Sequence, residues 1–202
     1  LDLTGDYTLT GDIRTPNGFD LLHVYDQTGA DVAYDSNTQL HSFGNHTNTY
    51  KQFLVHTHLI NTSGGGMHVY FEYRCLNTNQ QIWEGQIAGG NHAGGGNIPF
   101  QGSGSYIRTA YRLDNGHMMS TKQLITNPKG LTNQASYHSI MFETSWYYQS
   151  TGSAHAQGMA RATGTGSPTS LIHLNVDPRD GTAYTGAGNA RVYSLIWGVS
   201  KI

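Results

Sequence analysis

The chain is poor in charge. Asp, Glu, Lys and Arg make up 12% of its 202 residues, where an ordinary soluble domain carries about 25%. The formal net charge is -2 and no Lys/Arg cluster exists, so the counterion-release term that drives nucleic-acid affinity has nothing to act through. Cysteine is nearly absent as well. Cys75 stands alone and cannot close an intrachain disulfide, so stability must come from a core or from oligomerisation. Proline occurs 5 times and no G-X-Y period accompanies the 26 glycines, which excludes collagen. The longest apolar run has the length of one strand, against the roughly 20 residues that cross a bilayer, and no charged-then-apolar leader opens the sequence. The expectation is a soluble protein or soluble fragment, with no nucleic acid and no membrane insertion. Leu1 in place of an initiator Met reads as a piece cut from something longer.

What remains is Gly, Thr, Ser, Asn, Gln and His, with 13 Tyr, 6 Phe and 3 Trp spread along the whole length. Such a chain has the apolar payload to collapse, which argues against disorder. Apolar residues recur at period two between clusters of Gly, Asn and Asp, the pattern of strands. The clearest case runs from Met67 to Cys75: Met67, Val69, Phe71, Tyr73 and Cys75 share one face, read as core, and His68, Tyr70, Glu72 and Arg74 share the other, read as wet. The same reading fits Leu21 to Tyr25, Tyr50 to Ile60, Gln80 to Ala88, Tyr106 to Leu113, Tyr137 to Tyr148, Ser170 to Val176 and Ala190 to Val199. The best helical candidate lies between His117 and Leu131, where Pro128, Gly130 and frequent Thr permit a turn or two at most. Asp114-Asn115-Gly116 and Asp180-Gly181 offer the positive-φ residues of tight hairpins, and Asn127 to Gly130 reads as another turn. Many short strands without crossover helices predict an all-β fold, an antiparallel β-sandwich or jelly roll.

Two stretches depart from this pattern. The segment from Gly89 to Gly104 is glycine-rich and nearly uncharged, a surface loop or one whose backbone approaches another surface closely. At the start, LTGDY from Leu3 to Tyr7 is followed by LTGDI from Leu9 to Ile13, with Leu1, Leu3, Tyr7, Leu9 and Ile13 all on odd positions. Short repeats that cannot bury their own apolar face are the material of a stacked or intertwined shaft, although an ordinary hairpin accounts for two copies as well.

A repetitive entry, LTGDYTLTGDIRTPNGFD, feeding a Gly/Thr/Asn/Tyr-rich head resembles the distal end of a viral fibre, most closely a bacteriophage tail fibre or spike. The last stretch, RVYSLIWGVSKI from Arg191 to Ile202, resembles the C-terminal strand with which trimeric TNF/C1q-like jelly-roll knobs finish. The resemblance lies in composition, layout and chain ending, without a residue-specific motif. It implies residues 1–20 as the end of a shaft or linker strand and residues 21–202 as a head domain. It further implies a homotrimeric knob on the virion surface, outside the cell, that recognises a host cell-surface glycan or other receptor. Large uncharged patches, which tend to become interfaces, argue independently for a trimer; a well-hydrated monomeric sandwich is the rival.

Sugar recognition needs aromatic faces, with amide and hydroxyl groups that bond hydroxyls without desolvating a charge. Tyr147 and Tyr148 lead the candidates, followed by Trp146, by Trp83 beside Glu84, and by Tyr106, with His92 and Asn97 in the glycine-rich segment. Strand-end aromatics also serve as core or interface anchors. His56-Thr57-His58 puts two imidazoles on one strand face with Leu54 and Ile60, and three such pairs about a threefold axis would fill an octahedral transition-metal site. Some phage fibres are similar in carrying axial His-x-His metal sites. Hydrogen-bonded strand histidines are the plainer reading. Protonating all 11 histidines would carry the formal charge from -2 to +9, which would make subunit contacts pH-sensitive unless most are simply exposed.

The sequence holds no Gly-x-Ser-x-Gly elbow, no phosphate-cradling glycine run and no His-Glu-x-x-His, so a non-enzymatic role is expected. Glu72, Glu84 and Glu143 are the only glutamates; two of them would have to form a glycosidase pair, and Arg74 on the face of Glu72 points instead to a surface ion pair. Asn175 to Gly181 lacks the terminal glutamate of a calcium loop and reads as a hairpin turn. Asn45-His-Thr47 and Asn61-Thr-Ser63 match the glycosylation acceptor pattern, which matters only in a eukaryotic secretory pathway. Beside the adhesin stand two other readings: a structural virion component, as in capsid decoration or fibre tethering, and a polysaccharide-degrading appendage enzyme.

Overall fold

Antiparallel pairing accounts for every strand contact of the described chain. A computed structural model describes residues 13–14, 19–34, 38–75, 83–91, 103–104, 107–126, 138–148, 152–162, 171–180 and 186–201. Its strands are β1 (Ile13–Arg14), β2 (Phe19–Tyr34), β3 (Gln39–Ser42), β4 (Tyr50–Asn61), β5 (Met67–Cys75), β6 (Trp83–Asn91), β7 (Ser103–Gly104), β8 (Ile107–Leu113), β9 (Met118–Thr126), β10 (Ser139–Tyr148), β11 (Gly152–Ala162), β12 (Leu171–Asp180) and β13 (Gly186–Lys201). A single 3-10 turn, Gly44–Asn48, joins β3 to β4.

Eight of these strands form two layers, β2-β13-β4-β9 and β3-β12-β5-β8. The chain alternates between layers except at β5 to β8, which is the strand order of a jelly roll and bears out the all-β sandwich expectation. Strands β10, β11, β6 and β7 extend the first layer beyond β9, and β1 flanks β2. The layers join where Arg179 and Asp180 of β12 pair with β13 and where Tyr148 of β10 pairs with Leu113 of β8.

Between the layers lies one core. β4 supplies Phe53, Val55 and Leu59, β9 supplies Met119 and Ile125, and β10 supplies Ile140, Phe142 and Trp146. The second layer answers with Met67, Val69, Phe71, Tyr73, Leu113, Leu174 and Val176. Each fully buried side chain of this kind contributes roughly 1.5–3 kcal/mol. Polar residues also enter the core, because a ladder can satisfy them. Ser194, Thr57, Thr121 and Thr144 are register neighbours across β13, β4, β9 and β10, all buried. Ser194 Oγ lies 2.7 Å from Thr57 Oγ1, and Thr144 Oγ1 donates to Thr121 Oγ1 at 2.8 Å.

The strand from Met67 to Cys75 has the expected bounds, but its second face is not wet. His68, Tyr70 and Glu72 are buried, as are their β12 neighbours Asn175 and Asp177, so the second layer is covered on both sides. Glu72 is buried, not at the surface, and accepts from Asn175 Nδ2 at 3.4 Å, while the side chain of Arg74, its expected partner, lies outside the described residues. In place of the helical candidate between His117 and Leu131 stands β9, whose residues Met119, Thr121, Gln123 and Ile125 alternate inward. At Asp114-Asn115-Gly116 the expected reversal occurs with Gly116 at φ +76°, but it is not a hairpin. It carries the chain from β8 in one layer to β9 in the other, and Gly116 N donates to Asn61 O at 2.7 Å. Gly89 and Gly90, expected to open a loop, continue β6 and pair with Ala156 and His155 of β11. Residues 92–102, the shaft-like repeat through residue 12 and the turn at 127–130 lie outside the described residues.

Candidate functional site

The second layer is covered outside, but the first presents a bare face. Its outward side chains fall into rows that the strand register aligns. One row reads Leu21, Trp197, Leu54, Leu124, Met141 and Met159 across β2, β13, β4, β9, β10 and β11. The next reads Val24, Leu195, His56, Lys122, Glu143 and Gln157. A third reads Asp26, Tyr193, His58, Ser120, Ser145 and His155. The large apolar side chains most open to solvent among the described residues all project from this side: Phe19 (38% exposed), Val24 (42%), Met118 (51%), Met141 (52%) and Met159 (62%).

Within the face lies a groove of about 520 Å³, walled by Leu54, Leu124, Met141 and Met159 and edged by Lys122, Glu143 and Gln157. Aliphatic walls with a few convergent polar groups make a receptive surface for an apolar partner.

His56 and His58 share this face with Leu54 and Ile60, as period two requires. Their rings are 4.4 Å apart, and His56 Nε2 lies 3.1 Å from Ser120 Oγ. Burial, then His58 and Lys122, hold the His56 pKa below its ordinary value, so it is neutral at pH 7, the form that can ligate a metal. Nδ1 of His58 is buried without a hydrogen-bond partner. Two nitrogens beside an ammonium make at most a partial site, and no group of three His, Cys, Asp or Glu side chains suited to a metal occurs among the described residues.

At one end of the face, Tyr147 stacks on His117 with ring centroids 4.1 Å apart and planes 15° from parallel. His117 is exposed and Tyr147 partly so, and His117 N donates to Asp114 O at 3.2 Å in the adjoining turn. Trp146 turns the other way, into the core, as alternation along β10 dictates. Tyr148 and Trp83 are strand residues whose side chains lie outside the described set, and Tyr106, His92 and Asn97 lie wholly outside it. Of the expected aromatic cluster, the structure therefore brings Tyr147 against His117, a partner that strand reading missed. Strand register brings the two together, with Trp146 of β10 opposite Met119 of β9, and no local sequence signal announces it.

Glu143 edges the groove, and Glu72 lies beyond the opposite layer. Layers pack about 10 Å apart, so these two carboxylates do not flank one glycosidic bond. Asn61 is closed to glycosylation in the fold. Its Nδ2 donates to Gly65 O at 2.8 Å and Leu113 O at 2.7 Å, and its Oδ1 accepts from Ser63 N at 2.8 Å.

A second cluster runs from exposed His23 to buried His41 and Ser194. His41 on β3 reaches across the sandwich: its Nε2 lies 2.7 Å from Ser194 Oγ and its Nδ1 3.0 Å from Nδ1 of His23 on β2. Ser194 Oγ also lies 2.7 Å from Thr57 Oγ1 and 3.3 Å from His56 O, so the chain of polar groups runs from His23 through His41 to the first layer's ladder. Ser194 is fully buried, so this serine and histidine fasten the layers and offer no nucleophile to solvent. Burial and then the neighbouring His23 push the His41 pKa down to about 3.

The fold is an antiparallel jelly-roll sandwich with one layer covered and the other bare, apolar and grooved. No protein-family model matches the chain, and no curated protein matches it significantly.

Proposed function

We propose that the chain is the receptor-binding head of a trimeric viral fibre, a non-enzymatic adhesin on the virion surface that binds a host cell-surface glycan or similar receptor. The observation that carries receptor binding is the stacked His117–Tyr147 pair, partly open at one end of the sandwich and next to the polar Asp114 to Gly116 turn. An aromatic face with amide and carboxylate groups nearby is what a pyranose ring requires. Stacking on His117 fixes the tyrosine in place, so little rotamer freedom remains to be lost on binding. The bare face of the first layer supports assembly, and three weak sites on one rigid trimer would gain affinity through effective concentration. A transition metal held by His56 and His58 of three subunits fits the same assembly.

Glycan-array binding by the native oligomer tests the reading. Tyr147→Ala and His117→Ala should each abolish array signal while leaving the unfolding midpoint and oligomer mass unchanged. Wild-type protein that binds no glycan or cell surface, yet stays attached to other virion proteins, would overturn it in favour of a structural virion component. Reducing-end release from polysaccharide, lost on substitution of Glu84 or Glu143, would overturn it in favour of an appendage enzyme.

A further inference from the structure

At one edge of the sandwich the two layers meet through a pair of histidines. His23 on β2 is exposed and His41 on β3 is buried. Their rings stand edge to face with centroids 5.2 Å apart, and their Nδ1 atoms are 3.0 Å apart. Two ring nitrogens at that distance share one proton, which one donates and the other accepts. A first added proton leaves the contact intact, because exposed His23 can hold it and still donate from Nδ1 to His41. A second has to go onto His41, and two N–H groups then face each other where one donor and one acceptor are needed.

The surroundings of His41 give that second charge no counterion. Its Nε2 lies 2.7 Å from Ser194 Oγ, behind which stands Thr57 Oγ1, and both are hydroxyls of the first layer. From β2 the facing groups are His23 and, opposite Ser194, Tyr25. Asp20, the buried carboxylate of that strand, accepts from Tyr50 Oη–H at 2.7 Å. On β12, Leu174 lies opposite His41, with His173 one position along on the alternate face. The one charge that acts on His41 among the described residues is that of His23, which adds to burial in disfavouring the imidazolium. β3 itself is lightly held. It is four residues long, aligns with β12 at three positions with a register shift among them, and adds one bond from Val176 N to Thr38 O at 3.2 Å.

We infer that the His23–His41 contact is an acid-operated clasp: once both rings are protonated, β3 parts from β2 and β13 and uncovers Leu40 and His41, while the long ladders of β4, β9, β10 and β13 stay paired. The inference is independent of receptor binding and of assembly. In the fastened state burial and then His23 hold the His41 pKa down to about 3, and in the parted state the ring returns to 6.5. The clasp is therefore at full strength above pH 6.5 and weakens as pH falls toward 3. The parted population rises about tenfold for each unit below 6.5, or about 100-fold at pH 4.5.

Amide hydrogen exchange of the whole chain, read by mass spectrometry and corrected for the intrinsic pH dependence of exchange, tests this. At pH 7.5 a peptide spanning β3 should be less protected than peptides from β4 and β9, because it exchanges through local parting. Its protection should fall about 100-fold by pH 4.5, and in His41→Gln that fall should vanish. In His23→Gln, which keeps a donor at the rim but brings no second charge, the fall should be smaller than in the wild type. Protection of β3 equal to that of β4 and β9 would mean that this edge opens only with the whole fold, and would overturn the clasp. So would a fall in His41→Gln as large as in the wild type. Equal falls in wild type and His23→Gln would overturn the part given to the paired charge.

Discussion

Acidification from pH 7.5 to 4.5 is expected to cost the native fold about 2.7 kcal/mol through His41. In the unfolded chain this imidazole titrates near 6.5, and in the fold near 3. Its depressed pKa means that the unfolded state binds the proton first, so the stability present above pH 6.5 is lost progressively as pH falls toward 3. Each pH unit below 6.5 costs about 1.36 kcal/mol, and pH 4.5 lies two units below. The cause is local. One ring nitrogen engages Ser194 Oγ at 2.7 Å, the other faces His23 Nδ1 at 3.0 Å, and no water can reach either to solvate a second proton. The assay is urea unfolding followed by circular dichroism at both pH values and at one fixed protein concentration, for wild type and His41→Gln. Glutamine can still donate to Ser194 but does not titrate, and other acid-sensitive groups affect both proteins alike. The variant, weaker at pH 7.5, should lose about 2.7 kcal/mol less on acidification. Equal losses in the two proteins would refute the assignment of this acid sensitivity to His41.

Gly198→Ala should destabilise the fold by about 1–3 kcal/mol, seen as a lower thermal midpoint. A Cβ there would lie 2.5 Å from Cδ1 of Tyr50, and that ring cannot swing away without breaking the 2.7 Å bond from Tyr50 Oη–H to buried Asp20. Asn61→Ala removes the partner of two carbonyls and one amide N–H and should cost about 3 kcal/mol in denaturant unfolding. Arg191→Ala should change stability by less than about 1 kcal/mol, an effect that shrinks further in salt. Its 2.6 Å pair with Asp31 joins side chains 45% and 50% exposed.

Strands with apolar inward positions were legible. Met67 to Cys75 matches β5, and Tyr50 to Ile60 falls one residue short of β4. β9 was misread because Thr121 and Gln123 face inward, where a hydroxyl ladder from neighbouring strands receives Thr121. No local pattern announces a polar residue whose partner is contributed by a strand far away in sequence. β11 passed unnoticed because Ala154, Ala156 and Ala160 fill its inward positions, and alanine has little strand preference of its own. The site was legible in part. Period two placed His56 and His58 beside Leu54 and Ile60, and Tyr147 stood out as a strand-end aromatic. The groove and the His23–His41–Ser194 chain were not, since each depends on the register between strands or on contact between layers.

The position of β13 in the sheet has a kinetic consequence. It runs between β2 and β4, so Phe19 pairs with Val199 and Tyr50 with Lys201. Until these residues are made, two-residue β1 is the one neighbour of β2 in its layer among the described residues, and the first layer cannot close. Contacts this distant in sequence slow folding, so β4 and β9 wait for β13 before their layer is complete. A truncation that spared every residue of the groove but removed β13 would thus leave two strands without their shared neighbour.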